Sequence, residues 1–556
     1  MHHSVCRILV FHLCLVFYQN TLQAYELLYE LVCPEPQTNA NFGRSLAGDG
    51  DVNGDGYADI VVGAPHFNLG GGLGDAGKVF VYSGRTGTLL YSLTSPNAEP
   101  SGSFGSSVAI VKDINNDNAD DVIVGAPNED PEFGLTDAGR VYVICGQTGI
   151  PLRVIVSPNA EIQGKFGFSV DAAGDMNLDG YEDILVGAAD ETSGGLAAAG
   201  RVYAMSGETG LHLKTFESPN AKVNGHFGFA IACAGYTNDD MYPDVIIGAP
   251  FESNPNIPEY TGRAYLFDGN TGAVRFSFHE FGSSEDDYFG WSVDGGRDSN
   301  DDGYDDVVVG APGTDNPLIA YAYNTGWVFR MSGLTGTLLP VSSEIFEFMY
   351  GYSGLSVACV DDYNLDGLDD VAFGIPGPGE YGIHRGSVDI ISAETGLGFD
   401  WPSPPTNAGV EWFGDVLADV GDVNNDWYSE IAIASYRADT IYEDAGRVWV
   451  FGPDLPTIAV SSRILGMTVE LSWDAVQEAN EYWIYGAENE PFFEPQPESP
   501  FNYRIATTSN LSWLSIEQTG DETSNWTYLV VAVNDSDLPL CKSNRVGEFD
   551  RNITIP

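Results

Sequence analysis

Asp51-Val-Asn53-Gly-Asp55-Gly56-Tyr57-Ala-Asp59 is the stretch on which the reading of this chain turns. Asp and Asn at alternate positions 1, 3 and 5 put oxygen atoms on one side of a tight turn. Gly at position 6 permits the chain reversal, position 7 offers its carbonyl, and a carboxylate at position 9 closes the shell. The pattern returns at residues 175–183, 298–306 and 362–370, with variants at 113–121 and 422–430 and a degraded copy at 236–244. First positions fall at 51, 113, 175, 236, 298, 362 and 422, so the steps are 62, 62, 61, 62, 64 and 60 residues. Clusters of Asp, Asn and Gly also form turns that bind nothing. Seven copies in phase, with Asp nearly fixed at positions 1, 5 and 9, favour a metal-binding loop.

The flanking residues repeat in the same phase. About nine residues upstream of each loop lies an aromatic-Gly pair: Phe42-Gly43, Phe104-Gly105, Phe166-Gly167, Phe227-Gly228, Phe289-Gly290, Tyr350-Gly351 and Phe413-Gly414. Downstream comes an apolar strand ending in a turn, as in Ile60-Val-Val-Gly63-Ala64-Pro65. After a variable stretch there is a third strand, Gly77-Lys-Val-Phe-Val-Tyr82, and a Ser-Gly-x-Thr-Gly turn leads to a fourth, Leu89-Leu-Tyr-Ser-Leu93. Four short strands per unit without helical periodicity, repeated seven times, predict an all-β fold: a seven-bladed β-propeller of four-stranded blades.

The ends of the array predict how the ring closes. The last unit stops after its third strand, Arg447-Val-Trp-Val-Phe451. Leu27-Leu-Tyr-Glu-Leu31 precedes the first Phe-Gly by 15 residues, as Leu89 precedes Phe104 by 15. The N-terminal strand is therefore an orphan fourth strand in register for the seventh blade, and a closed ring leaves neither edge bare.

The candidate ligands follow loop by loop. They are Asp51, Asn53, Asp55, Tyr57 and Asp59; Asp113, Asn115, Asp117, Ala119 and Asp121; Asp175, Asn177, Asp179, Tyr181 and Asp183. The later blades offer Asp298, Asn300, Asp302, Tyr304 and Asp306; Asp362, Asn364, Asp366, Leu368 and Asp370; Asp422, Asn424, Asp426, Tyr428 and Glu430. Oxygen-only ligands with several carboxylates and flexible coordination suit Ca²⁺ better than Mg²⁺. About six sites are expected. Asn118 replaces Gly in the second loop but tolerates a left-handed backbone. Trp427 and Glu430 make the seventh loop the weaker candidate, and Tyr236 removes the first ligand of the fourth, which is expected to be empty.

Composition narrows the partners. With 80 acidic against 23 basic residues the formal net charge is −57, which repels phosphate backbones and argues against nucleic acid. Hydrophobic residues at 43% and aromatics at 12% argue for packed structure rather than disorder. Arg7, the apolar run 8–17 and Leu22-Gln23-Ala24 read as a signal peptide over residues 1–24, and no later stretch is apolar enough to suggest a transmembrane segment. Cys33, Cys145, Cys233, Cys359 and Cys541 are too scattered for a disulfide framework, and Cys145 and Cys359 lie in strand-like apolar runs. After the propeller (25–453), residues 456–547 hold Val469-Glu-Leu-Ser-Trp473, Tyr482-Trp-Ile-Tyr485 and Tyr528-Leu-Val-Val-Ala-Val533, which read as a small β-sandwich with a tail at 548–556. Sequons stand at Asn510, Asn525, Asn534 and Asn552.

The in-phase Phe-Gly, Gly-Ala-Pro and Asp-rich elements closely resemble the FG-GAP repeats of the integrin α-chain propeller. The resemblance implies Ca²⁺ in the hairpins between first and second strands, with any ligand bound on the opposite face. It does not extend to leg domains, membrane helix or cytoplasmic tail, so an integrin β-like partner is not carried over. The C-terminal segment resembles a fibronectin type III domain. Strand alternation independently places the variable stretches 66–77, 128–139, 251–262 and 313–326 on the face away from the loops, with exposed-type aromatics Phe67, Phe133, Tyr260, Tyr321 and Tyr323. The expectation is a secreted or cell-surface recognition module for an extracellular protein or glycan, not an enzyme. No G-x-S-x-G, H-E-x-x-H or C-x-x-C motif occurs. A propeller-based hydrolase or lyase and a structural surface-layer component are the competing readings.

Overall fold

The computed structural model describes residues 25–131, 134–253, 260–280, 286–315, 323–340, 350–364, 366–377, 385–399, 412–426, 428–439 and 442–453, plus seven strands between 460 and 542 without their side chains. The signal-type segment, Phe133, Tyr321, Trp427, the four sequons and the tail lie outside the described residues, as do the side chains of Trp473 and Cys541.

Among the described residues every element is a strand, and no helix is long and apolar enough to cross a membrane. Blade one consists of β2 (Ser45–Gly50), β3 (Asp59–Ala64), β4 (Lys78–Tyr82) and β5 (Leu89–Leu93), paired in chain order. All pairings are antiparallel, with Leu46 opposite Val62 and Ile60 opposite Tyr82. The β-branched β3 and β4 are buried along their whole length, whereas β5 at the rim is largely exposed. The same order recurs in blades two, three, four and six. In blade five the described fourth-strand residues are a bridge between Met331 and Leu338.

The first strands touch one another in a cycle that runs through all seven blades and returns from the seventh to the first. Blade seven is completed by β1 (Tyr25–Val32), which pairs antiparallel with Arg447–Pro453, Leu31 opposite Val448. The sequence expectation of an N-terminal clasp is met. Buried clusters fill the gaps between successive blades. One joins Leu31, Phe42 and Phe80 to Val448 and Val450, and another joins Val61 and Val81 to Phe104 and Tyr142.

The Phe-Gly pairs stitch these gaps. Phe42, Phe104, Phe166, Phe227, Phe289 and Phe413 are fully buried. Gly105 lies at φ +88 and crosses so close to the preceding blade that a Cβ on Gly63 would stand 2.2 Å from the Gly105 carbonyl oxygen. Ser45 Oγ donates to that same oxygen at 2.9 Å. In the sixth unit the equivalent pair is Ser353-Gly354, not Tyr350-Gly351: Gly354 N donates to Gly374 O as Gly105 N donates to Gly125 O. Ser353 pairs with Gly326 as Phe104 does with Gly77. Ser353 also keeps the nine-residue offset to Asp362 that Phe42 keeps to Asp51, and Tyr350 does not. Phe67 is likewise not an exposed loop aromatic. It is 2% exposed, packs edge-on against Phe80 and carries the Lys78 ammonium 5.0 Å over its ring.

A second stitch escaped the sequence reading. Ser95-Pro-Asn97, Ser157-Pro-Asn159 and Ser218-Pro-Asn220 follow the fourth strands of blades one to three at the repeat spacing. Ser95 Oγ and Asn97 Nδ2 each donate at 3.0 Å to the hydroxyl of Tyr142 in the next blade, and that hydroxyl donates to the buried Glu129. Ser218, Asn220, Tyr265 and Glu252 repeat the arrangement. Replacing Tyr142 by Phe is expected to destabilise the chain by about 1–3 kcal/mol, since it leaves buried donors and an acceptor short of a partner. Urea unfolding of the variant beside Phe80→Leu as a packing control checks this.

The C-terminal strands form two antiparallel sheets. One pairs Val460–Leu465, Thr468–Trp473 and Ser512–Leu514 in that order. The other pairs Arg504–Thr508, Glu481–Glu488, Trp526–Val533 and Pro539–Lys542 in that order.

Candidate metal centres and the opposite mouth

Each nine-residue loop is the hairpin between the first and second strands of a blade, and all but the fourth are wound around their own first residue. In blade one Asp51 Oδ1 accepts from Gly54 N at 2.7 Å and Asp55 N at 3.0 Å, and Oδ2 from Gly56 N at 2.7 Å. Asp113 accepts from Asp117 and Asn118, Asp175 from Asp179 and Gly180, and Asp298 from Asp302 and Gly303. Asp362 accepts from Asp366 and Gly367, and Asp422 from Asp426. The tight winding needs left-handed residues, and Asn118 takes φ 67 as anticipated. At position 7 the backbone N–H groups of Tyr57, Ala119, Tyr181, Tyr304, Leu368 and Tyr428 each donate to the position-5 carboxylate, fixing Asp55, Asp117, Asp179, Asp302, Asp366 and Asp426.

The closing acid ties the hairpin to the Thr-Gly turn on the same face. Gly84 N donates to Asp59 Oδ1 at 3.0 Å, and Gly146, Gly207, Gly333 and Ala393 do the same for Asp121, Asp183, Asp306 and Asp370. The position-3 amides of Asn53, Asn115, Asn177, Asn300, Asn364 and Asn424 donate Nδ2 to the closing carboxylate of their own loop. Here they orient that carboxylate rather than present an oxygen. Amide oxygen and nitrogen occupy nearly the same space, so a half-turn of the same side chain offers the oxygen.

Electrostatics separate six hairpins from the fourth. Asp59, Asp121, Asp183, Asp306, Asp370 and Glu430 are almost wholly buried. Among the described residues none of the six makes an ion pair. Burial, with the Asp51 and Asp55 charges adding to it, pushes the Asp59 carboxyl up to about 7. Burial does the same to Asp183, to about 7, and to Asp121 and Asp306, to about 6. Asp370 and Glu430 are driven well up by burial and by their own loop acids. Several carboxylates in one hairpin form a donor set that fits a hard divalent cation, and in blades five and six the buried Arg330 also acts on Asp306, Asp366 and Asp370. The seventh hairpin, the weaker candidate by sequence, gathers its acids tightly: ligand atoms of Asp422, Asp426 and Glu430 all lie within 4.8 Å of one another. The longer Glu side chain supplies the reach that Asp has elsewhere.

The fourth hairpin carries its own cation. Tyr236 stands where the first Asp should be and is 53% exposed. Arg275 Nη1 lies 2.7 Å from the fully buried Asp244 Oδ2, and the same guanidinium donates to Thr237 Oγ1. Six residues after the turn glycine, blades one to three carry Leu90, Leu152 and Leu213 where blade four has Arg275. That substitution was the available sequence signal.

On the opposite face, residues that follow the Phe-Gly glycines converge at the mouth of the central channel. Arg44, Phe168, Phe229, Trp291 and Asp415 line a funnel of about 750 Å³. Tyr260 and Tyr323 are exposed at this end, as expected, at 39% and 48%. A ring cluster runs along the wall, with Phe168–Phe229 centroids 5.2 Å apart and Phe229–Trp291 4.7 Å apart. His226, beside its Phe-Gly pair, is held by Asp190 at 2.7 Å and is structural.

The FG-GAP repeat family model matches residues 42–82, 104–144 and 166–205. Over 232 residues the chain is 33% identical to integrin alpha-5 of Xenopus laevis, covering 39% of this chain and 20% of that protein. It is 32% identical over 225 residues to integrin alpha pat-2 of Caenorhabditis briggsae, covering 36% and 17%. With integrin alpha-4 of Xenopus laevis the identity is 28% over 356 residues, 60% of this chain and 32% of the relative. The matched segment thus spans about a fifth of the length of the first two of these relatives.

Proposed function

We propose, from a seven-bladed propeller whose first three blades match the FG-GAP repeat and from the similarity to integrin alpha chains, that the chain is an exported, calcium-binding recognition or adhesion module. Ca²⁺ occupies six hairpins, in blades one, two, three, five, six and seven, held by the loop acids named above. The ion rigidifies the hairpin face. The opposite mouth and its variable loops contact an extracellular protein or glycan, since binding commonly sits on loops held by a rigid scaffold. The observation that carries the reading is the contrast between blades: among the described residues the six buried closing acids make no ion pair, and the one hairpin short of its first Asp has Arg275 against its closing acid.

The chain is read as a binding protein rather than an enzyme, secreted or held at the cell surface, with residues 1–24 as its signal peptide. Pairing with an integrin β-like chain does not enter the proposal. The propeller is assigned to 25–453 and a fibronectin type III-like sandwich to 456–547. The three- and four-stranded C-terminal sheets, with Glu481–Glu488 central in the second, support the latter assignment.

The test displays the calcium-loaded chain over arrayed extracellular glycans and matrix proteins. The expected result is saturable capture of at least one class, reduced by Trp291→Ala at the mouth and unaffected by Leu90→Ser on the rim. Capture that ignores the mouth substitution, or no capture at all, would overturn the recognition reading.

A further inference from the structure

The funnel mouth holds an unusual charge arrangement for a chain of net charge −57. Arg44 and Arg437, from blades one and seven, are both exposed there and both line the funnel. Arg437 lies 4.3 Å over the Trp412 ring and Arg44 5.3 Å over Tyr436. Among the described residues neither guanidinium makes an ion pair. Both are held by ring faces, with Arg437 also donating to the Tyr436 hydroxyl at 3.0 Å.

Asp415 lies in the same lining and is the acid that should neutralise them. It is 4% exposed, and neither carboxylate oxygen has a hydrogen-bond partner. Burial pushes its carboxyl up to about 8, with Arg437 and Arg44 pulling only partly the other way. Burial thus disfavours the charge on Asp415, and two guanidinium groups without an ion pair among the described residues face the funnel. From Arg437 and Trp412 the lining continues to Tyr352, whose ring stacks on Trp412 at 6.1 Å and 21°, and then to Trp291 and Phe229 on the far side of the ring, in blades five and four. Ser106 and Asn128 of the adjoining blade two add polar groups to the lining, and Lys165 is held there by Asp137 at 3.4 Å and by Asn128.

We propose that this mouth binds an oligosaccharide with a single carboxylate-bearing residue, the carboxylate paired with Arg44 and Arg437 and a neighbouring ring of the same saccharide reaching across the funnel to the aromatic wall at Trp291. The proposal rests on the recognition reading above and gives it a ligand chemistry. A guanidinium pair matches a carboxylate in charge and geometry. The rigid ring wall matches a pyranose face better than a short, flexible acidic side chain, and Ser106 and Asn128 match sugar hydroxyls. One charge fits better than many, because the surrounding field repels polyanions.

Calorimetry on the calcium-loaded full chain tests it with four probes: sialyllactose, lactose, a glucuronate-terminated disaccharide and its glucose-terminated parent. Acidic probes are expected to bind at least about tenfold more tightly than their neutral parents. Arg44→Ala with Arg437→Ala should erase that difference, and Trp291→Ala should weaken both kinds. Both arginines are exposed, and a matching thermal melt confirms that each variant is folded. Equal binding of acidic and neutral probes, or insensitivity to the arginines, overturns the proposal. Binding of an arrayed protein or neutral glycan at this mouth with no acidic preference leaves recognition standing and this inference fallen. Silence toward every ligand sinks both.

Discussion

Removing calcium from the purified chain should lower its melting temperature by about 20 °C or more, and restoring millimolar Ca²⁺ should recover it. An ion that binds only the folded state stabilises by RT ln(1 + [L]/Kd), about 2.7 kcal/mol per site at a hundredfold excess over Kd. Six such sites together contribute about 16 kcal/mol, as much as the whole net stability of an ordinary domain. At the usual conversion for chains of this order the shift is tens of degrees. The effect should also track single loops: Asp179→Asn in blade three ought to cost one site in a mass-spectrometric metal count and a proportionate part of the shift. A chelated chain that melts unchanged, with no metal on the untreated protein, would mean that the hairpins are only turns.

Acidity gives an independent handle on the calcium-free chain. Burial raises Asp171 to about 7 and Asp415 to about 8, and neither belongs to a hairpin. A carboxyl raised by folding stabilises the fold while it holds its proton. The contribution is full below the unfolded value near 3.9 and is lost as pH rises through the folded one. The melting temperature of the chelated chain is thus expected to fall as pH rises from about 4 to about 8, and to level off above that. A flat or rising profile across that window contradicts these environments.

Much of this was legible because a propeller writes its structure in a period. The seven loops, the Phe-Gly pairs and the orphan strand Leu27–Leu31 each announce themselves at one spacing, and the ring follows from edges that need partners. The misses were of two kinds. Residue type points to Tyr350-Gly351, whereas the nine-residue offset points to Ser353-Gly354, since the backbone there needs the glycine more than the ring. Phe67 and Arg275 depend on another strand of their own blade folding back beside them, and Asp415 on Arg44 from the neighbouring blade. Phe67 sits in a variable stretch, which looks exposed until Phe80 and Lys78 are seen to cover it. Reading the loops alone grades them by their own acids, whereas the cation comes from the fourth strand of the same blade, where Arg275 stands in place of Leu90, Leu152 and Leu213.

That cation makes the fourth hairpin the sharpest test of the metal assignment. Arg275→Met removes the only ion-pair partner that the described residues give to Asp244, a carboxylate with no exposed surface, while Thr237, Asn238 and Gly269 still crowd it with donors. Breaking a buried pair by deleting one member costs about 3–5 kcal/mol, because the remaining charge has nowhere to go. The single variant should therefore melt well below the parent in calcium as well as in chelator. Asp244→Asn in the same background should recover part of the loss, since it removes the stranded charge. Tyr236→Asp together with Arg275→Met goes further: it restores the first ligand and vacates the ion's place, so the metal count should rise by one and calcium should rescue stability that the single variant lacks. If the double variant binds no additional ion and calcium leaves it as unstable as Arg275→Met, then Arg275 is an ordinary ion pair rather than a stand-in. The contrast between blade four and its neighbours would then no longer support calcium in the other six.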